Sequence, residues 1–399
     1  MEEQVIFFCL KEDLSTYDPY DIWKTSLGVK VKNWFNSSKY LAGGPALLMT
    51  LYDQFLNNDV RYGYHKQEYP IVRALAAQTL LHWYNETNNS DYLNFAKIHL
   101  DWLVDNSSKG YSGFCWGLGF KWAVIKGIIY DANTPHSTHT PYALEAFDLY
   151  TKITNDDRYI EVIKSCFNFY ENDLIILSEE EDCMGISYGP IKDRVVNNAV
   201  SYTIFAYSIF LQYFPEKENY IKHKMHKFFK FLKKHQLEDG SWYYAPEEPN
   251  SFIDCFHSCI ILKNLFKAGN LLDEQRDDWN AMIKKGYGYV LSNFYNEKEG
   301  LFRRFSKTNK LSIVNFDLYD NAEVLGLAKL LKDQDTIKKL EPKIKEVFTK
   351  NNQEIYSSKN IFGKLINKNT LRWAVMPYLF AQSLSDAAIQ PKKNRLFKN

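Results

Sequence analysis

The chain has 399 residues, with 49 Lys plus Arg against 48 Asp plus Glu and a formal charge of +1. So even a balance excludes a generally basic nucleic-acid binder, which needs a positive field to hold phosphates, and 45% apolar residues exclude a disordered chain. Aromatics are the excess to explain, at 28 Tyr, 27 Phe and 9 Trp.

The start, Met1-Glu2-Glu3-Gln4, is acidic and only Val5–Leu10 is apolar, which does not read as a signal peptide. Helical periodicity then predicts twelve helices, near 40–57, 67–87, 91–106, 139–154, 157–173, 196–213, 218–236, 252–268, 273–294, 317–333, 335–350 and 369–386. In the second, Ile71, Leu75, Thr79 and His82 fall at helical spacing, and Leu80, Trp83 and Tyr84 widen the stripe. The most apolar run, Ile204–Phe214, is interrupted by Tyr, Ser and Gln and falls short of the roughly 20 residues of a membrane span. Six cysteines without CxxC spacing fit reduced thiols in a cytoplasmic protein.

Short Gly-plus-aromatic segments separate these helices: 110–122 (GYSGFCWGLGFKW), 184–190 (MGISYGP), 239–246 (DGSWYYAP), 300–305 (GLFRRF) and 361–365 (IFGKL). The recurring unit is a polar helix, an aromatic glycine turn and a markedly apolar helix. Tyr220–Gln236 is rich in Lys and His, whereas Phe252–Phe266 is apolar nearly all round and must be buried on most sides. Six such pairs predict an all-α fold, an (α/α)6 toroid or six-hairpin barrel, with short β-like aromatic turns at one mouth. An open α-solenoid and two helical bundles are the alternatives. No Pro- or Ser-rich linker divides the chain, so 1–399 reads as one domain, with repeats over roughly 20–388 and a short tail, 389–399.

In such a ring the turns entering the inner helices crowd one mouth, where helix N-termini favour anions. The candidate catalytic residues there are Asp254 and His257 (FIDCFH) with Asp317, Tyr319 and Asp320 (FDLYDNAE). The candidate substrate contacts are His139, Tyr142, Asn197, Asn198, Glu323, Arg372 and Trp373, joined from the loops by Trp116, Trp122, Tyr188, Trp242 and Tyr243. Carboxylates, imidazoles, an arginine and flat aromatics suit a sugar, whose hydroxyls need fixed polar partners and whose apolar faces lie against rings. Each group also has a structural reading. Asp254 and Asp317 can serve helix N-termini, His257 can be a core histidine, and the tryptophans can be packing.

Cys255-x-His257-x-Cys259 offers zinc-ligand types, but on a helix His257 points about 200° away from Cys255, so one helix cannot chelate with all three. No metal or cofactor is expected. No GxxxxGK[ST] or GxSxG motif occurs.

Gln236–Tyr243 (QLEDGSWY) resembles the Q-x-x-DGSW turn of the terpenoid-cyclase and prenyltransferase toroids, although the DxDD and DDxxD acids of those proteins are missing. A longer resemblance spans roughly 25–385. The succession KTSLGVKV (Lys24–Val31), KQEYP (Lys66–Pro70), GYSGFCWGLGFKW, ISYGP (Ile186–Pro190), EDGSWYY (Glu238–Tyr244), FIDCFHS (Phe252–Ser258) and LRWA (Leu371–Ala374) is similar to VpsJ-like, bacterial polysaccharide-biosynthesis toroids. That resemblance implies an (α/α)6 fold and a role in capsule, exopolysaccharide or lipopolysaccharide assembly. It also implies association with a polysaccharide synthesis machinery. Where such relatives read Asp-x-His, this chain has Asp317-Leu318-Tyr319.

These readings favour a cytoplasmic protein that processes a glycan in the funnel as a hydrolase, lyase or epimerase. A hydrolase would pair Asp254 with Asp317 or Asp320 and use His257 as a proton shuttle. A lyase or epimerase would use Tyr319 or His139 as base, with Arg372 facing a uronate. A noncatalytic glycan-binding scaffold and an isoprenoid-handling toroid are the rivals.

Overall fold

The computed structural model describes residues 7–385 except 126, 249–250, 271, 273–275, 309–311 and 351–353. The proposed tail 389–399 lies outside the described residues. Helices α1 (Ser26–Ser37) and α2 (Lys39–Leu51) form an N-terminal hairpin. Helix pairs follow: α3 (Pro70–Thr87) with α4 (Ser90–Asp105), α5 (Thr140–Thr154) with α6 (Ile160–Asn172), and α7 (Asn197–Tyr213) with α8 (Glu218–His235). Then come α9 (Cys255–Gly269) with α10 (Arg276–Asn293), α11 (Leu318–Leu331) with α12 (Gln334–Phe348), and finally α13 (Met376–Ser383).

The odd-numbered helices from α3 onward each pack against the next, and α13 packs back against α3. This closes a ring of six inner helices. Composition dictates the arrangement: α7 is buried without a break from Asn197 to Phe210, as an all-round apolar helix requires. Outer helix α8 buries Ile221, Met225, Phe228, Phe229, Phe231 and Leu232 on one side and leaves Lys233 and Lys234 exposed. The fold is the (α/α)6 toroid that the periodicity predicts.

Two details differ. Helix α1 is not among the predicted helices, and the predicted helix 40–57 divides into α2 and a π-helical turn, Tyr52–Leu56. Nor does α2 serve as a sixth outer helix, since only Ala42 of it is buried. The extended N-terminal segment is packed into the core instead, burying Phe8, Cys9 and Leu14. It is held by Cys9 O, 2.8 Å from His99 Nε2, and by the Arg73 guanidinium donating to Glu12 O at 2.6 Å.

The aromatic turns form small antiparallel pairs. Strand β1 (Trp122–Ile125) pairs with β2 (Ile128–Tyr130), and β3 (Ile176–Glu179) with β4 (Met184–Ile186). Strand β5 (Ile253–Asp254) enters α9 and pairs with β8 (Phe305–Lys307), while β6 (Tyr295–Asn296) pairs with β7 (Leu301–Phe302). Strand β9 (Val314–Asp317) enters α11 and pairs with β11 (Glu354–Asn360), which also pairs with β10 (Thr349–Lys350) and β12 (Leu365–Lys368). In the DGSW turn, Asp239 accepts from Ser241 N and Gly240 takes φ +96°, with Lys285 O only 2.4 Å from where a Cβ would stand.

Candidate functional site

A cavity of about 390 Å³ opens at the mouth formed by these turns. Of the sequence-predicted residues, Trp122, His139, Tyr142, Tyr188, Asn198, His257, Tyr319, Arg372 and Trp373 line it. Among the described lining residues there is no carboxylate, and the charged ones are Lys24, Lys32 and Arg372.

His257 is positioned by its own helix start. Strand β5 delivers Asp254 to the N-cap of α9, where the carboxylate accepts from His257 N at 3.1 Å. The same carboxylate lies 2.8 Å from His257 Nδ1. An Nδ1–H donated to Asp254 leaves Nε2 bare, able to accept a proton. Asp254 is buried and borders only a smaller recess beside the cavity, together with Asn197, Trp242 and Tyr243.

His139 stands at the N-cap of α5 with Thr138 Oγ1 3.3 Å from its Nδ1. A hydroxyl donated to Nδ1 places the ring proton on Nε2, the tautomer opposite to that of His257. Burial, assisted by Arg372, pushes His139 down to about 3, so it is neutral near pH 7. In these tautomers Nε2 of His257 is a hydrogen-bond acceptor and Nε2 of His139 a hydrogen-bond donor.

Three tyrosines form the floor. Tyr202 donates to the Tyr142 hydroxyl at 2.5 Å, and Tyr319 packs in the same cluster. Burial raises all three well above the ordinary phenol value, which keeps them protonated and makes them neutral donors rather than bases. Two more polar groups on the lining, Trp122 Nε1 and Asn198 Oδ1, are buried without a protein hydrogen-bond partner, and a polar ligand would satisfy them.

The acids lie elsewhere. Asp317 and Asp320 are buried around Arg304, whose Nε is 3.0 Å from Asp320 and whose second nitrogen is 3.3 Å from Asp317. The guanidinium lies 5.2 Å from the ring centres of both Phe256 and Trp373, which line the cavity. The acids thus sit behind an aromatic wall. Burial and the neighbouring carboxyls Asp317 and Asp254 push Asp320 up to about 7 against the pull of Arg304. Asp317 caps α11 and accepts from Trp373 Nε1 at 3.2 Å. Glu323 is paired with Lys263 beneath the floor.

Trp116 and Trp242 are packing residues. Each indole N–H donates to a carbonyl near the end of the preceding outer helix, Leu103 O at 2.8 Å and Leu232 O at 2.9 Å. Asn197 donates to Tyr243 O at 2.7 Å, tying a turn to α7.

Sequence reasoning missed Tyr20, Trp23, Lys24, Lys32, Phe120, Tyr202, Tyr244 and Phe256 on the lining. It also missed Asp18, which is bonded to Arg372 and lies 3.6 Å from Lys24 Nζ. Burial raises that carboxyl, but Arg372 and Lys24 outweigh it and hold Asp18 below the carboxylate range. The signal for this cluster was the Lys24–Val31 motif, whose first residue reaches the cavity. Among the described residues, no three His, Cys, Asp or Glu side chains are grouped to hold a metal ion.

No protein-family model and no curated protein sequence matches the chain. Solved structures do. A sugar epimerase from a ruminal bacterium superposes with a TM-score of 0.61 at 12% identity, over 82% of this chain and 90% of that one. An α-mannanase of glycoside hydrolase family 76 from Bacteroides thetaiotaomicron gives 0.59 at 10% identity, over 92% and 98%. A D-mannose isomerase gives 0.57 at 11% identity, over 88% and 98%. The ring of six inner helices and its likeness to these structures make the chain an (α/α)6 toroid.

Proposed function

We propose that the cavity processes a sugar by moving a proton at a carbon next to a carbonyl, as an epimerase or isomerase does. The observation that carries this reading is the lining itself, whose described residues include two imidazoles, six protonated tyrosines and three basic side chains but no carboxylate. Hydrolysis through paired acids needs two carboxyls flanking one bond, and Asp317 and Asp320 are committed to Arg304 behind Phe256 and Trp373.

In the proposed reaction the open-chain sugar offers a C–H acidified by its carbonyl. His257 Nε2 takes that proton while Asp254 stabilises the imidazolium. The electron pair moves onto the carbonyl oxygen as an enediolate, which Arg372 and Lys24 stabilise in a water-poor setting. A proton then returns to the carbon on the other face for epimerisation, passed by His139 Nε2 as its Nδ1 takes a replacement from solvent through the Thr138 hydroxyl, and His257 releases its proton to solvent to reset the site. Trp122 and Trp373 give the sugar apolar surfaces, and Tyr142, Tyr202 and Tyr319 donate to its hydroxyls. The likeness of this chain to solved sugar epimerases and a mannose isomerase is compatible with this reading, and glycoside hydrolases and a polysaccharide lyase are among the other structures it resembles. The order of motifs shared with VpsJ-like proteins supports a substrate drawn from surface-glycan assembly. The test is to incubate purified protein with aldoses and uronic acids and separate the products by chromatography. An epimer or a ketose is expected from wild type and not from His257→Gln.

A further inference from the structure

The apolar surface of this protein is concentrated in one place. Among the described residues, 12 of the 20 large apolar side chains that stand exposed fall between Leu27 and Tyr62. Tyr40 is fully exposed, and Leu41, Leu48 and Leu56 are each about 70% exposed, with Leu47 and Leu51 beside them. Helix α2 buries only Ala42 and packs chiefly on α1. A patch this large on a surface is a docking site, because burying it removes apolar area from water.

Charge identifies the partner. From Ile22 to Tyr52 there is not one Asp or Glu, while Lys30 and Lys39 stand exposed in that stretch and its other two lysines, Lys24 and Lys32, line the cavity. An acid-free segment that pairs exposed leucines with lysines and with Trp34, Tyr40 and Tyr52 has the composition of a surface that lies on an anionic bilayer. Aromatic side chains of this kind settle at the headgroup level. A second copy of the same face would instead bring lysines against lysines. No helix among the described residues is long and apolar enough to cross a membrane, so the contact is peripheral.

We infer that the α1–α2 hairpin docks the protein on an anionic lipid surface. Its position gives the docking a consequence, because Lys32 of α1 lines the cavity and α1 packs on β1, which carries Trp122. Docking through this hairpin therefore holds the cavity mouth close to the bilayer, where a sugar displayed on that surface can enter.

The experiment is co-sedimentation of the full chain with vesicles of phosphatidylcholine alone and of phosphatidylcholine mixed equally with phosphatidylglycerol. Wild type should pellet with the mixed vesicles and much less with the neutral ones. Lys30→Glu with Lys39→Glu should weaken that binding at least about tenfold. Leu47→Ser with Leu48→Ser, at exposed positions where folding is little disturbed, should abolish it with the melting temperature unchanged. Failure of wild type to pellet with the mixed vesicles overturns the inference, as does binding indifferent to both pairs of substitutions. A dimer seen by light scattering that dissolves in Leu47→Ser with Leu48→Ser, without vesicle binding by wild type, assigns the face to a second copy instead.

Discussion

One carboxylate, Asp254, both caps helix α9 through His257 N and holds the ring of His257 by Nδ1 at 2.8 Å. The helix start and the orientation of the imidazole are therefore the same interaction. Asp254→Asn keeps an oxygen for the cap but cannot stabilise an imidazolium by charge. Stability should fall by no more than about 1 kcal/mol, while turnover falls by about 10²–10⁴-fold. Thermal melts and steady-state rates on the same preparation separate the two effects.

The carboxyls around Arg304 give stability a pH dependence. Asp320, pushed up to about 7 in the folded protein, ordinarily titrates near 3.8. The folded state therefore keeps a proton that the unfolded chain has lost. The resulting stabilisation is complete below about pH 4 and disappears as pH rises through about 7. Urea denaturation across that window should show stability falling with pH in wild type, and a flatter profile in Asp320→Asn.

Removing Arg304 tests the same cluster from the other side. Arg304→Leu leaves Asp317 and Asp320 buried without their cation, and the cost should be about 3–5 kcal/mol. Denaturant midpoints measure it. If the substitution were neutral, the cluster would not be the buried ion network that the distances describe.

The two packing tryptophans predict a stability effect without a binding effect. Trp116→Phe and Trp242→Phe each leave a buried carbonyl, Leu103 O or Leu232 O, without its donor. Each should cost about 1–3 kcal/mol. Sugar binding followed by calorimetry should be unchanged, whereas Trp373→Ala should weaken it.

Much of this was legible in the sequence, and the limits have physical causes. Inner helices such as α7 declare themselves because burial on all sides demands an unbroken apolar run, and outer ones such as α8 because burial on one side demands a stripe. Helix α1 does not, since Leu27, Val29 and Val31 alternate with Gly28, Lys30 and Lys32 at a period of two, which imitates a strand. The first-turn residues His139, Tyr142, His257 and Tyr319 could be found because a toroid gathers helix starts at one mouth. Trp116, Trp122 and Trp242 sit in alike turns, and only the destination of each side chain separates the wall of the cavity from the packing. The acids misled for a similar reason. Asp317 and Asp320 have the right types at the right helix start, but Arg304, from the loop before, takes them. Asp18 acts on Arg372 across 354 residues, a relationship to which no local pattern points.

Proton transfer at carbon is tested directly in heavy water. Purified protein is incubated with candidate sugars, and deuterium at carbon is read by mass spectrometry and NMR. Wild type should place one deuterium at the carbon next to the carbonyl, and His257→Gln none. Cleavage of a glycosidic bond without deuterium at carbon, undiminished in His257→Gln, would contradict it.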